Sequence, residues 1–517
     1  MDRGAGILLP ITSLPSKYGI GTMGKSAREF ADFLYESGQM YWQILPIGPT
    51  GYGDSPYQAF SSYAGNPYWI DLDDLVEDGL LKKSDIDQHN WGDDPHKVDY
   101  GLIYENRFDV LKIACNNLDQ YAPSDYLTFL EEEKDWVLDY ALFMAIKNEQ
   151  GGVAFLEWPD ELKLRDPIAL QEKAMELQDE VKFYVRMQYL FFKQWARLKE
   201  YVNDLGIKII GDVPIYVSSD SQDMWANPSQ FQLDEEHKPI EVAGCPPDGF
   251  AKDGQLWGNP LFDWDHMRNE GFAWWKKRVK HQMKLVDILR IDHFRGFESY
   301  YAIPYGAKTA KDGRWRKGPG VELFKELESS LGELNIIAED LGFLTQDVLD
   351  MVKETGYPGM KVLQFAFDSR DTGSGYLPHM YTKNSIVYAG THDNDTILGW
   401  MATAPKNEVD MAIEYLHMDK KEGYNWGMIR GAFSSVSHTA IMQMQDILGL
   451  GSEARMNIPS TSSDNWTWRM DGKALKKPLA KKLYQMTQLY GRLPIVEEEE
   501  SIEEENSIEK ENESWQQ

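Results

Sequence analysis

Cysteine is nearly absent from this 517-residue chain: Cys115 and Cys245 are its two, far apart and outside any metal-type spacing. That rules out a disulfide framework and a cysteine zinc site, and it fits a reducing compartment. Cations are also scarce, with 53 Lys and Arg against 83 Asp and Glu and a formal charge of −30. Such a surface repels phosphate backbones and anionic lipids, so neither nucleic acid nor a membrane is an expected partner. Part of the charge is local, since ten Glu against one Lys in residues 497–517 account for −9 and leave −21 on the body. A polyanionic substrate is thereby disfavoured and a neutral one favoured. No apolar run is long enough to span a bilayer, and residues 1–6 lack the basic and apolar regions of a secretory leader. The expectation is a soluble, cytoplasmic protein. A compact His/Asp ligand motif is missing too, so metal catalysis is the weaker reading of the acids described below.

What the chain has in quantity is aromatics, 17 Trp, 27 Tyr and 21 Phe. Most serve a large core, and some suit a site that stacks flat rings or sugars. Residues 6–9 form a short apolar strand. Met23, Ala27, Phe30, Ala31 and Leu34 then recur at helical spacing up to Gly38, and 42–47 is a second strand. A strand–helix–strand unit of this length builds parallel sheets. The loop after it, 49–58, is dense in Gly, Pro and Tyr; turn-making and substrate binding are equally good accounts of it. From about 72 to 205 the chain reads as a helical insertion, with one apolar stripe through Tyr184, Met187, Phe191, Trp195, Leu198 and Val202.

Strand rhythm resumes at 207–214 and continues at 288–292, 335–340, 361–367, 386–391 and 455–458, for eight strands in all. Residues 300–303 are a ninth candidate, in an excursion after the fourth strand. The fold class is therefore α/β, a (β/α)₈ barrel with large, mostly helical insertions, whose chemistry belongs at the C-terminal strand ends. One catalytic unit spans 1–495, a covering loop spans about 218–264, and the Glu-rich segment 496–517 is expected to be disordered.

The fourth strand ends in Leu289-Arg290-Ile291-Asp292-His293-Phe294-Arg295-Gly296. Arg290 and Asp292 lie two apart and share a face. A guanidinium there lowers a carboxylate's proton affinity and orients it, as a nucleophile needs, although a plain ion pair explains the octapeptide alone equally well. Glu339 ends the fifth strand and Asp393 the seventh; Asp212 at the third reads as structural. Three converging acids suit glycoside chemistry, with one attacking the anomeric carbon, one donating and accepting a proton, and one binding hydroxyls.

Several segments carry a family resemblance: Gly6-Ile7-Leu8-Leu9-Pro10-Ile11-Thr12-Ser13-Leu14-Pro15, Gly53-Asp54-Ser55-Pro56-Tyr57-Gln58, Pro246-Pro247-Asp248-Gly249-Phe250, Gly254-Gln255-Leu256-Trp257-Gly258-Asn259-Pro260, 290–296, Ala338-Glu339-Asp340-Leu341-Gly342 and Thr391-His392-Asp393-Asn394. With them the chain resembles the amylomaltases, 4-α-glucanotransferases of the α-amylase clan, from about Gly6 to Tyr490. The resemblance implies that Asp292 is the nucleophile, Glu339 the acid/base and Asp393 the transition-state stabiliser. It implies that Arg290 orients Asp292, that His392 binds hydroxyls of the attacked sugar and that Tyr57 stacks on it. Asp54, Ser55, Trp257, Asp368, Asn457 and His293 join the candidate binding set. Pro10 stands where many relatives carry His. Gly249 stands where some carry an aromatic, implying weaker acceptor-side stacking. The implied partners are maltooligosaccharides and α-1,4-glucans as donor and acceptor, met by a monomer or homodimer with no metal or organic cofactor. The residues alone leave an amylase-type hydrolase open, because hydrolysis and transfer share one covalent intermediate. A glucan-binding protein without turnover and a helical scaffold stand further off.

Overall fold

Short apolar runs bounded by loops become strands in the computed structural model, which describes residues 2–495 except 52, 122, 248–251, 343, 371–374 and 462. Gly249 and the acidic segment 496–517 lie outside the described residues. The strands are β1 (Gly4–Leu8), β2 (Tyr41–Gln43), β3 (Lys208–Pro214), β4 (Glu241–Cys245), β5 (Gln255–Pro260), β6 (Ile288–Asp292), β7 (Ser299–Pro304), β8 (Arg314–Lys317), β9 (Ile336–Ala338), β10 (Gly359–Val362), β11 (Ser385–Tyr388) and β12 (Thr439–Gln443). Eight of them close a barrel in the order β1-β12-β11-β10-β9-β6-β3-β2, and every neighbouring pair is parallel. A (β/α)₈ barrel is the architecture that alternating strands and helices predict.

Register decides what the barrel mouth contains. On the β3–β6 ladder Asp212 lies opposite Arg290, and Pro214 opposite Asp292. Parallel neighbours at one level point their side chains to the same face. Asp212 and Arg290 therefore meet as a consequence of strand pairing, before any loop is placed.

The eighth barrel strand is not where the sequence suggests. Residues 455–458 form no strand; β12 (Thr439–Gln443) takes that position and is buried throughout. Its Thr-Ala-Ile-Met-Gln sequence mixes Thr439 and Ile441 with helix-compatible Ala, Met and Gln and follows a helix, Tyr424–Phe433, without a strong breaker, so periodicity alone merges the two. Arg455 instead works in a loop, its Nε donating to the Asn457 carbonyl (2.8 Å) and its Nη2 to the Asp393 carbonyl (2.7 Å).

Between β2 and β3 the chain is helical from Leu72 to Asp204. The helix Gln178–Asp204 has acidic residues in its first turn, favourable to its dipole, and buries the whole stripe Tyr184, Met187, Phe191, Trp195, Leu198 and Val202. Polar residues flanking the stripe hold the loop after β2. Gln188 clasps Gly65 through both backbone groups (2.7 and 3.0 Å), and Gln194 clasps Asp71 in the same way (2.7 and 3.0 Å). Gly65 has no alternative, because a Cβ there would sit 2.0 Å from the Phe191 ring.

Residues 218–264 are more than a loop. They contain β4 and β5, which join β7 and β8 in an antiparallel sheet of order β5-β4-β7-β8. Residues 300–303 belong to this sheet within β7.

Candidate active site

Arg290 is 3 % exposed and makes three charged contacts. Its Nη1 donates to both oxygens of Asp212 (2.7 and 2.6 Å), and its Nη2 donates to Asp292 Oδ1 (3.0 Å). One cation thus serves two carboxylates. The sequence alone suggests an Asp292 carboxyl held low by Arg290. The net shift is upward, to about 6, because burial outweighs the guanidinium, and Asp212 and Asp393 add repulsion. At neutral pH Asp292 is still ionised.

Glu339 follows β9 on the neighbouring strand. Its Oε2 accepts from the His293 backbone N–H (2.7 Å) and its Oε1 from that of Leu341 (3.0 Å). His293 reaches this position by adopting the left-handed region, φ 53, at a cost of about 1 kcal/mol for a side chain with a Cβ. The two amides fix the carboxyl and favour its charge. Burial and then the Asp292 charge prevail, and the Glu339 pKa rises to about 8. The site therefore holds one carboxylate below neutrality and one carboxylic acid above it, the division of labour that general acid and nucleophile require.

Asp393, beyond β11, lies on the open side with its side chain 45 % exposed. Asn457 Nδ2 donates to its Oδ1 (2.6 Å), and His392 Nε2 lies 3.5 Å from its Oδ2. Tyr57 closes the group from the loop after β2. Its hydroxyl meets Asp212 Oδ2 and His392 Nε2, each at 2.8 Å, and its ring stacks on the imidazole at 5.3 Å between centroids.

Of these residues Tyr57, Asp292, His293, Asp393 and Asn457 line a cleft of about 490 Å³, together with Ser55 and Trp257. Trp257 comes from β5 and packs edge-on against His293 at 4.8 Å. Burial, with help from Arg295, pushes the His293 pKa down to about 3, so its ring is neutral. Two candidates fall outside this group. Asp54 lines two adjoining cavities, and burial lifts its pKa to about 6. Asp368 pairs with Arg370 (2.6 Å), which lowers its pKa.

Two contributors escape sequence reading. Asp212 ties Arg290 to Tyr57; its strand-end position is legible, its partners are not. Trp466 lines the cleft and approaches Tyr57 and His392 at 5.9 and 6.0 Å, from a loop in which it has a φ of 63. Nothing in its sequence surroundings marks it. Among the described residues no group of three His, Cys, Asp or Glu is placed to hold a metal ion.

A family model described as 4-alpha-glucanotransferase matches residues 9–475. A 4-alpha-glucanotransferase of Clostridium butyricum is 50% identical over 484 residues, covering 93% of this chain and 99% of that protein. One from Thermus thermophilus is 46% identical, covering 91% and 95%. Among solved structures, the amylomaltase from Streptococcus agalactiae in complex with acarbose superposes with a TM-score of 0.93 at 43% identity, covering 95% of this chain and all, 100%, of that one. The amylomaltase of Corynebacterium glutamicum, at 19% identity and a TM-score of 0.74, shares the fold over 95% of this chain and 74% of its own.

Proposed function

The chain belongs to the 4-alpha-glucanotransferase family, and from that premise we propose that Asp292, Glu339 and Asp393 carry its reaction. That reaction is transfer of an α-1,4-glucan segment to the 4-hydroxyl of an acceptor by retaining double displacement. The observation that supports the assignment is the pair of buried carboxyls around Arg290, one ionised and one protonated at neutral pH.

Asp292 Oδ1 is engaged by Arg290, which leaves Oδ2 to attack the anomeric carbon. Glu339 gives its proton to the glycosidic oxygen as that bond breaks, and the shortened glucan leaves. The resulting carboxylate then takes the proton of the acceptor's 4-hydroxyl, whose oxygen displaces Asp292 from the sugar. Two inversions at one carbon give retention. Asp393, steered by Asn457, accepts hydrogen bonds from sugar hydroxyls, and Tyr57 offers its ring to the same sugar. Maltooligosaccharides serve as donor and acceptor, and Trp257 on β5 supplies an aromatic wall. No separate cofactor is called on for any of these steps.

The test is the product distribution from maltotriose. A ladder of longer maltooligosaccharides with glucose is expected, at a rate at least about 10³-fold lower in Glu339→Gln. Glucose and maltose alone, with no longer product, would move the chain to the hydrolases.

A further inference from the structure

Hydrogen-bond direction in the Asp212–Tyr57–His392 chain carries information that distances alone do not. Both Asp212 oxygens accept from Nη1 of the Arg290 cation, the pairing of an ionised carboxylate, which has acceptors only. Tyr57 has one hydroxyl proton, and Asp212 Oδ2 at 2.8 Å can only accept it. The Tyr57 oxygen is therefore an acceptor toward His392, and Nε2, at 2.8 Å, must be the nitrogen that donates. Burial, and after it the Asp212 charge, holds the Tyr57 pKa well above its ordinary value, so the phenol keeps that proton at working pH. The same Asp212 takes two of the three charged contacts that Arg290 makes, and Asp292 takes one.

Asp212 itself is 3 % exposed, and its oxygens are taken up by Arg290 and the Tyr57 hydroxyl. We propose that Asp212 is a positioning residue: it sets His392 in the Nε2–H tautomer through Tyr57, and it withholds part of Arg290 from Asp292. The first effect puts the imidazole proton on Nε2, committed to Tyr57, on the nitrogen that lies 3.5 Å from Asp393 Oδ2. The second keeps the nucleophile from being over-stabilised as an anion, since a fully paired carboxylate is a poorer attacking group. Several groups face this cluster: Arg290 on β6, Tyr57 after β2, Tyr388 on β11, His392 and Asp393 beyond β11, and Glu339 beyond β9. Of these, Arg290 is the fixed cation that Asp212 and Asp292 share, so removing the Asp212 charge acts on Asp292 mainly through Arg290.

This inference rests on the proposed roles of Asp292 and His392, and the experiment separates the two. In ¹⁵N-histidine-labelled protein, His392 (assigned by its loss in His392→Gln) is expected with its proton on Nε2 and a bare Nδ1. In Asp212→Asn the new amide donates to the Tyr57 oxygen, Tyr57 turns its proton to His392, and the tautomer reverses. The acid limb of the kcat/KM profile should move to lower pH by about one unit as Arg290 turns wholly to Asp292. The expected fall in kcat is about 100-fold, with KM changed less than about threefold. Tyr57→Phe keeps the Asp212–Arg290 pair, so its acid limb should stay in place. If Asp212→Asn fails to fold, the wild-type tautomer and the Tyr57→Phe limb still decide. A proton on Nδ1 in the wild type, or an acid limb unmoved in folded Asp212→Asn, overturns the inference. Undiminished activity in Asp292→Asn would instead remove the reading beneath it.

Discussion

The two mouths of the barrel both bury an arginine, and they use it in opposite ways. At the N-terminal mouth Arg492, fully buried, donates to the carbonyls of Phe433, Gly4, His438, Ser435 and Ser437 at 2.8 to 3.2 Å. Arg3 reinforces it on Ser435, Ser437 and Tyr490. These carbonyls end the chain segments that feed β1 and β12, so the clasp closes the barrel where its first and last strands meet. At the C-terminal mouth Arg290 faces carboxylates that outnumber it, and two nearby acids are left with raised proton affinity. One mouth spends its cation on satisfying neutral acceptors. The other retains unbalanced charge, which is costly for the fold and useful for chemistry.

The largest effect that would break this contrast is expected at Asp292. Asp292→Asn should lower transfer by about 10⁴-fold or more, read as glucose released from maltotriose. The same change should leave the melting temperature equal or raise it by a few degrees, because Arg290 keeps Asp212 and one costly buried charge is gone. A clear loss of stability would show that Asp292 holds the fold, and the contrast would fail. Next comes the opposite mouth. Arg492→Met should cost about 3–5 kcal/mol in a denaturant melt, because buried carbonyls lose their donor. Activity per folded molecule should change less than about twofold, since nothing at that end touches the cleft.

The contrast also marks how far sequence reading goes. Residues 288–292 are legible to the residue because a β-rich apolar run stops abruptly at charge, and Glu339 and Asp393 follow the same rule. Register is what the sequence withholds: that Asp212 stands opposite Arg290 depends on how two strands 78 residues apart align. β12 was hidden by its Ala, Met and Gln, which pack well in a closed barrel yet carry weak strand propensity. Trp466 and the β4–β5 wall reach the cleft through loop geometry, and no periodicity reports that. Asp54 shows the reverse: it shares a motif with Ser55 and Tyr57, but a left-handed φ of 56 and its own burial set it in the adjoining cavities.

The smallest effect is the most diagnostic of unbalanced charge, and it is read by varying pH. For activity, Asp292 must be ionised and Glu339 protonated, so kcat/KM should fall below about pH 6 and again above about pH 8. For stability the same shifts act in one direction. Both carboxyls bind their proton more tightly folded than unfolded, Asp292 with a pKa of about 6 against 3.8 and Glu339 about 8 against 4.5. Their contribution is whole below the unfolded values and is lost as pH rises through the folded ones. Stability should therefore decline across the window from about pH 4 to 8 through these two groups, against the trend of ordinary paired carboxylates. Subtracting the melting curve of Glu339→Gln isolates the upper part of that decline. The difference should grow between pH 6 and 8 in the direction of a more stable variant, by about 1–2 kcal/mol once partial solvation of the cleft is allowed for. A difference that is flat across that range would mean Glu339 is not held protonated by the fold, and the catalytic mouth would carry no more stored charge than its counterpart.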